Sequence, residues 1–272
     1  MATVPARPAA DNEDFAAVAP SAAVLLDGAG IPAGIESGCV HGVAWFARTL
    51  GTALLARACD PASGSLSGCL RGAIGAVRAL HSGTCDLDHP WTPTATVVAI
   101  RVRGDELEHL VLTDSSLVLT EAGGATHVVT DRRLDAALGG RRAALDQVPL
   151  RDPGYPAAFR EHMATVGALR NAPGGFWVAA ADPAVAEHAL TGSCPLSSVA
   201  SALLLSDGAS RLADLFGLAS WADLAGIVRR EGPEELIRQV RAVETADPDG
   251  VRWRRSKAFD DATVVYCDEL DG

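Results

Sequence analysis

Aromatic residues make up only 5% of the 272-residue chain, with two methionines and a single lysine, Lys257. Apolar residues still reach 48%, so the core has to be built from Ala, Val, Leu and Ile. With 21% charged residues, that composition excludes wholesale disorder, collagen and coiled coil. No apolar run approaches the roughly 18 residues that a spanning helix needs. Residues Met1–Asp14 lack the apolar segment of a signal peptide. Both absences predict a soluble, cytoplasmic protein. Basic residues are also scarce, 23 against 34 acidic ones, for a net charge of −11. That balance excludes general nucleic-acid binding, which needs cationic contacts to phosphate, and docking on an anionic membrane. The six cysteines (Cys39, Cys59, Cys69, Cys85, Cys194, Cys267) contain no CxxC pair and read as reduced, mostly buried thiols. The Gly-x-Ser-x-Gly elbow, the P-loop and the Rossmann glycine triplet are missing too.

What is present is a change of period along the chain. Met1–Asp11 is Pro- and Ala-rich and reads as a flexible leader, leaving 12–272 as one domain. Phe15–Asp27 ends in the run Ala22–Leu26, a buried strand stopped by Asp27-Gly28-Ala29-Gly30. Helical spacing predicts helices over Ser37–Ala58 and Ser65–Leu80. Thr96–Val102, Leu107–Leu112, Ser116–Thr120 and His127–Thr130 form a β-meander pattern. Arg132–Pro156 reads as an irregular exposed excursion. Tyr155–Leu169 is helical, and Phe176–Ala181, Val199–Leu205 and Ala262–Cys267 are strands. Ser220–Arg230 and Pro233–Thr245 are helices, the second with Pro at its first position and acids in its first turn. Helix pairs segregated from strand runs predict an α+β layered domain rather than βαβ units.

Four acidic signals share one context. Asn12-Glu13-Asp14 precedes a strand, Asp27-Gly28 and Asp207-Gly208 each end an apolar strand, and Asp260-Asp261 opens the last one. Carboxylates at strand tips repel one another when they converge, and divalent cations that prefer oxygen ligands offset that repulsion. Taken singly, each Asp-Gly is an ordinary turn. The ordered combination carries the reading.

That combination resembles the metal-dependent PPM (PP2C-type) protein phosphatases. Asn12-Glu13-Asp14 is similar to their first acidic motif, Val24–Gly28 to their strand-Asp-Gly, and Thr94-Ala95 with Thr113-Asp114-Ser115 to their Thr-Ala and Gly-Asp-Ser elements. Thr130-Asp131-Arg132 is similar to their Asp-His element, Leu204–Gly208 to their second Asp-Gly, and Asp260–Val265 to the closing strand. The resemblance implies a four-layer α-β-β-α sandwich, two stacked antiparallel sheets flanked by helix pairs. It implies two Mn²⁺ or Mg²⁺ ions held by Asp14, Asp27, the Gly28 carbonyl, Asp207 and Asp260, with Glu13 a further candidate ligand and Asp114 a candidate for a third ion. Asp27, Asp207 and Asp260 then act through metal-bound water, in which a metal-bridged hydroxide attacks a phosphomonoester in line. The implied substrate is a serine/threonine phosphoprotein or a small phosphoester. The alternative is a catalytically weak or silent relative serving as a regulatory or binding domain. The chain is a divergent, bacterial-type member in this reading. The family's phosphate-holding Arg is absent from Ala9, Ala10 and Asp11, its Gly-Asp-Ser glycine is Thr113, and its His is Arg132. Arg7, Arg254, Arg255 and Lys257 are the candidate substitutes for phosphate binding.

Two other sets were weighed. His81-x3-Cys85-x3-His89, with Asp86 and Asp88, has metal-ligand residue types, but Gly83 and Pro90 interrupt the spacing, and loop residues with a buried thiol is the preferred reading. Ser206, Ser210 and His188 lack the elbow of a hydrolase triad.

Overall fold

Every residue of the run Ala22–Leu26 is buried, which requires a layer on each face of its sheet. The computed structural model, which describes residues 1–8, 11–29 and 36–270, supplies both. Side chains alternate along a strand. Ala22, Val24 and Leu26 accordingly pack beneath helices, whereas Ala23 and Leu25 meet a second sheet.

The strands are β1 (Ala2–Val4), β2 (Phe15–Ala19), β3 (Ala22–Leu26), β4 (Gly28–Ala29), β5 (Thr94–Ala95), β6 (Val97–Arg103), β7 (Glu106–Leu112), β8 (Ser116–Glu121), β9 (Thr126–Val129), β10 (Leu190–Pro195), β11 (Val199–Leu205) and β12 (Ala262–Asp268). One antiparallel sheet has the order β10-β7-β6-β3-β2, the other β1-β12-β11-β8-β9, and β4 pairs with β5 as a small ribbon. Helices α1 (Val43–Ala58) and α2 (Leu66–His81) cover the first sheet through Phe46, Leu50, Leu70 and Ile74. On the second sheet, α5 (Asp207–Asp214), α6 (Trp221–Glu231) and α7 (Pro233–Ala246) pack through Leu212, Leu224, Leu236 and Val240. Leu117, Leu204 and Val265 fill the space between the sheets. The order of layers is the expected α-β-β-α sandwich. An added helical hairpin, α3 (Arg133–Asp146) and α4 (Tyr155–Leu169), follows β9.

Four expectations need correction. Arg132–Pro156 is not irregular. Most of it is α3, whose Ala, Leu and Arg favour a helix despite Gly139-Gly140. The first helix starts at Val43, not Ser37, because Gly42 has a φ of 79°, which leaves Ser37–His41 as a loop. Phe176–Ala181 makes only two isolated bridges, Arg170 to Phe176 and Ala95 to Ala179. The leader begins with β1, which pairs with β12 in the register Ala2–Val264, Thr3–Thr263 and Val4–Ala262. Gly30 and Ile31 of the Gly-rich turn, and Ala9 and Ala10, lie outside the described residues. Among the described residues, no helix is long and apolar enough to cross a membrane.

Candidate metal centre

Strand β3 and the central strand of the other sheet, β11, face each other across the inter-sheet core. Asp27 follows the first and Asp207 the second. Both therefore emerge at the same end of the sandwich, where the Asp27 carboxyl hydrogen-bonds the Asp207 carboxylate. Asp260 stands two residues before β12, Asp114 in the β7–β8 turn, and Asp14 immediately before β2.

Burial and mutual repulsion dominate the electrostatics of these acids. Asp27 is held well above the usual carboxylate range, first by burial and then by Asp14, Asp207 and Asp260. Asp14 is pushed up to about 7 by burial, against the pull of the Thr263 and Ser206 hydroxyls beside it. Both Asp14 oxygens are buried without a hydrogen bond of ordinary geometry. Burial, with Asp207, also lifts Asp114 to about 7. Burial raises Glu13 as well, opposed by Lys257. Asp207 is the exception. Burial would raise it, but Arg211, Lys257 and a hydrogen bond with Asp27 bring it below its ordinary value. Buried acids that repel one another, one of them with both oxygens unpartnered, leave an excess of negative charge and oxygen donors. Such a donor set suits hard divalent cations. Among the described residues, no three acidic side chains bring oxygens mutually within 4.8 Å, so the acids are spread wider than one ion's ligand shell.

The glycines of both Asp-Gly pairs are explained by close approach. A Cβ on Gly28 would stand 2.5 Å from Val43 Cγ1 and 2.6 Å from the Glu13 carbonyl oxygen, and one on Gly208 would run into the Asp261 carbonyl. Gly28 N–H donates to the Glu13 carbonyl at 3.2 Å, which ties the first acidic motif to the strand that carries Asp27. Asp261 adds a second tie, since its carboxylate accepts from Glu13 N–H (2.8 Å) and Ala6 N–H (2.6 Å). Thr96 fixes Asp27 from the other side. Its N–H donates to the Asp27 carbonyl at 2.8 Å, and its hydroxyl accepts from Asp27 N–H at 3.2 Å. Thr113 has a φ of 71°, a left-handed conformation that normally favours glycine. Its hydroxyl donates to the Trp177 carbonyl at 2.7 Å.

The cationic residues divide into distinct roles. Arg211, only 6% exposed, donates to Asp260 at 2.8 Å and to the fully buried Glu244 at 2.5 Å. Arg241 donates to the other Glu244 oxygen at 2.6 Å. Lys257 reaches Asp260 Oδ1 at 2.8 Å, and burial notwithstanding, Asp260, Asp207 and Asp27 hold its ammonium above the usual range. The sequence reading missed Arg211. Its only signal was a cation four residues after Asp207 on an apolar helix face.

Asp260 borders two clefts. A narrower one, of about 240 Å³, also holds Asp114, Asp207, Arg132 and Arg142. The wider holds Arg7, Glu13, Lys257 and Asp261. Of the four candidate phosphate binders, Arg7 and Lys257 line the wider cleft. Arg254 is half-buried and lines neither. Arg255 is spent elsewhere, because its buried guanidinium pairs with Asp247 at 3.0 Å and donates to the Trp253 and Ala258 carbonyls. Ser206 caps Thr263 N–H (2.9 Å), Ser210 bonds Asp214 (2.8 Å), and His188 stacks on Trp177, so these three are structural.

No family model and no curated protein matches the sequence. Solved structures do match its fold. The serine/threonine phosphatase PstP/Ppp of Mycobacterium tuberculosis aligns over 98% of this chain and 96% of its own, with 17% identity and a TM-score of 0.60. The catalytic domain of PstP in complex with two manganese ions aligns over 98% and 95%, with 19% identity and a TM-score of 0.56. The PPM Ser-Thr phosphatase MsPP of Mycobacterium smegmatis, in complex with cacodylate, aligns over 98% and 96%, with 19% identity and a TM-score of 0.54. Two five-stranded antiparallel sheets between helical layers, joined end to end in this order, are the fold of the PPM-type serine/threonine phosphatases, and this chain has it.

Proposed function

We propose that the chain is a metal-dependent phosphomonoester hydrolase acting on phosphoserine or phosphothreonine in proteins. The observation that carries this reading is the convergence of Asp14, Asp27 and Asp207 at one end of a phosphatase fold, where the buried carboxylates repel one another and both Asp14 oxygens are unpartnered. Asp14, Asp27, the Gly28 carbonyl, Asp207 and Asp260 are the proposed ligands of two Mn²⁺ or Mg²⁺ ions, with Glu13 beside them and Asp114 toward a third. A spread too wide for a single shell supports two centres. When bound, such ions acidify water and neutralise phosphoryl oxygens.

The chain's own residues do the positioning, which with electrostatics accounts for most phosphoryl-transfer catalysis. Asp27 and Asp207 would both serve as carboxylate ligands once cations offset their mutual repulsion. Arg211, locked by Glu244, holds one face of Asp260 and leaves the other to Lys257. Lys257 is half exposed on a single flexible stem and can exchange Asp260 for a substrate phosphate. Arg7, in the same cleft, takes the place of the family's missing arginine. Arg132, paired with Asp135, and Arg142 line the narrower cleft beside the acids and are the cations there that a phosphopeptide could meet.

Hydrolysis of p-nitrophenyl phosphate and of a phosphothreonine peptide, with and without Mn²⁺, tests the proposal. Turnover that requires Mn²⁺ and is lost in Asp27→Asn and Asp207→Asn is the expected result. Mn²⁺ binding without turnover on either substrate assigns the silent, regulatory alternative instead.

A further inference from the structure

At the start of α1 and the end of α2, four side chains of a different chemistry meet. Cys39 and His41 lie in the loop before α1. His81 is the last residue of α2, and Cys85 lies in the turn that follows. One ligand atom from each of the four lies within 4.8 Å of all the others. Cys39 Sγ is 3.4 Å from Cys85 Sγ, 3.6 Å from His81 Nδ1 and 3.8 Å from His41 Nδ1, and Cys85 Sγ is 3.4 Å from His41 Nδ1. A tetrahedral ion with sulfur at about 2.3 Å and nitrogen at about 2.0–2.1 Å has S···S edges of about 3.8 Å and S···N edges of about 3.6 Å. The three S···N distances bracket their value, and the S···S distance is about 0.4 Å short of its own, a gap that a bound ion would open. A disulfide would need its sulfurs at about 2.05 Å.

We propose that Cys39, His41, His81 and Cys85 form a structural Zn²⁺ site, separate from the carboxylate centre, that pins the start of α1 to the end of α2.

The local backbone is built to present these four atoms. Gly38 and Gly42 bracket the Cys39-x-His41 pair, both with left-handed φ of 68° and 79°. A Cβ on Gly38 would meet His89 Cβ at 2.6 Å, so a side chain there would push the loop off its neighbour. Asp86 N–H donates to the Gly38 carbonyl at 2.8 Å and zips the two ligand-bearing segments together. On the other side, Cys85 and Thr84 N–H both donate to the His81 carbonyl, at 2.9 and 3.1 Å, which folds Cys85 back beneath His81. Trp45 stacks on His41 at 4.3 Å and closes one flank of the cluster. Two thiolates with two neutral imidazoles is a donor set that selects zinc over the hard ions the carboxylates favour.

The test does not depend on phosphatase activity. The protein is expressed with zinc in the medium and purified without chelator. Its metals are counted by elemental analysis, and its thiols by titration of the unfolded chain. About one zinc per chain is expected, with all six cysteines reduced. The Cys39→Ser/Cys85→Ser variant is expected to carry less than about a tenth as much zinc, whereas Asp27→Asn keeps its full complement. Where the double variant does not fold, wild-type protein stripped of metal under reductant is titrated with Co²⁺, and the intense visible absorption of a tetrahedral thiolate site is expected at one equivalent. Reduced wild-type protein that holds neither zinc nor cobalt overturns the proposal. So does a deficit of two thiols, which means a Cys39–Cys85 disulfide. Zinc that survives the double substitution, or leaves with Asp27→Asn, also overturns it by placing the ion elsewhere.

Discussion

The two ends of helices α1 and α2 and the open end of the sheet sandwich solve the same problem with opposite chemistry. At the sandwich end, buried acids from five separate segments repel one another. Oxygen donors, wide spacing and two bordering clefts are what the proposed exchangeable, substrate-admitting centre requires. At the helix ends, two thiols and two imidazoles lie within 4.8 Å of one another, near the edge lengths of one tetrahedron. That is a closed set with no position left for chemistry. Donor type and spacing together therefore separate the site proposed to work from the site proposed to hold.

The largest effect expected from breaking the contrast is at Asp27. Asp27→Asn removes one acid from the crowded set and should lower Mn²⁺-dependent phosphatase turnover by on the order of 10³-fold. Initial rates at saturating Mn²⁺ measure it, and a loss under tenfold would remove Asp27 from the centre.

Arg211→Met comes next. It leaves Asp260 and the fully buried Glu244 without their shared partner. Breaking a buried ion pair from one side costs about 3–5 kcal/mol, to be read from the urea midpoint at constant slope. A change below about 1 kcal/mol would mean that the network contributes little.

Gly28→Ala is a milder lesion. Its Cβ collides with Val43 and the Glu13 carbonyl, and relief by small shifts costs about 1–3 kcal/mol. Weaker Mn²⁺ binding should accompany the loss, because the same shift moves Glu13 and Asp14 away from Asp27. Calorimetric titration of Mn²⁺ checks that coupling.

The smallest effect is the pH response of protein prepared without Mn²⁺ or Mg²⁺. Asp14 and Asp114 are both raised to about 7 from an ordinary 3.8. A raised carboxyl binds its proton more tightly in the folded chain than in the unfolded one. Its stabilising contribution is full below the unfolded value and is lost as pH rises through about 7. Thermal melts should therefore fall by several degrees between about pH 5 and pH 8 relative to Asp14→Asn/Asp114→Asn. Added Mn²⁺ should recover more at the higher pH. A flat difference between the two proteins would contradict the burial of these acids.

The sheets and the carboxylate centre were legible in the sequence for one physical reason. Strands covered on both faces read as unbroken apolar runs, and an Asp-Gly at the end of such a run is marked by contrast. Ala22–Leu26 with Asp27 and Val199–Leu205 with Asp207 are the clearest cases. Helix α3 was not legible, because its half-exposed Ala and Arg residues produce no apolar stripe. Arg211 was hidden because its worth depends on Glu244, 33 residues on. The thiol–imidazole cluster was half seen. His81 and Cys85 were noted together with His89, but His89 Nδ1 accepts a hydrogen bond from Trp91 N–H, and the true companions, Cys39 and His41, are some 40 positions upstream. The expectation of mostly buried thiols fails as well. Only Cys69 is fully buried.

A crystal soaked in Mn²⁺ and measured at the manganese absorption edge tests the central claim most directly. The account predicts two anomalous peaks that share Asp27, with Asp14 on one side, Asp207 and Asp260 on the other, and Lys257 swung away from Asp260. Absence of ordered manganese there, with Lys257 and Arg211 still closed on Asp260, would contradict it.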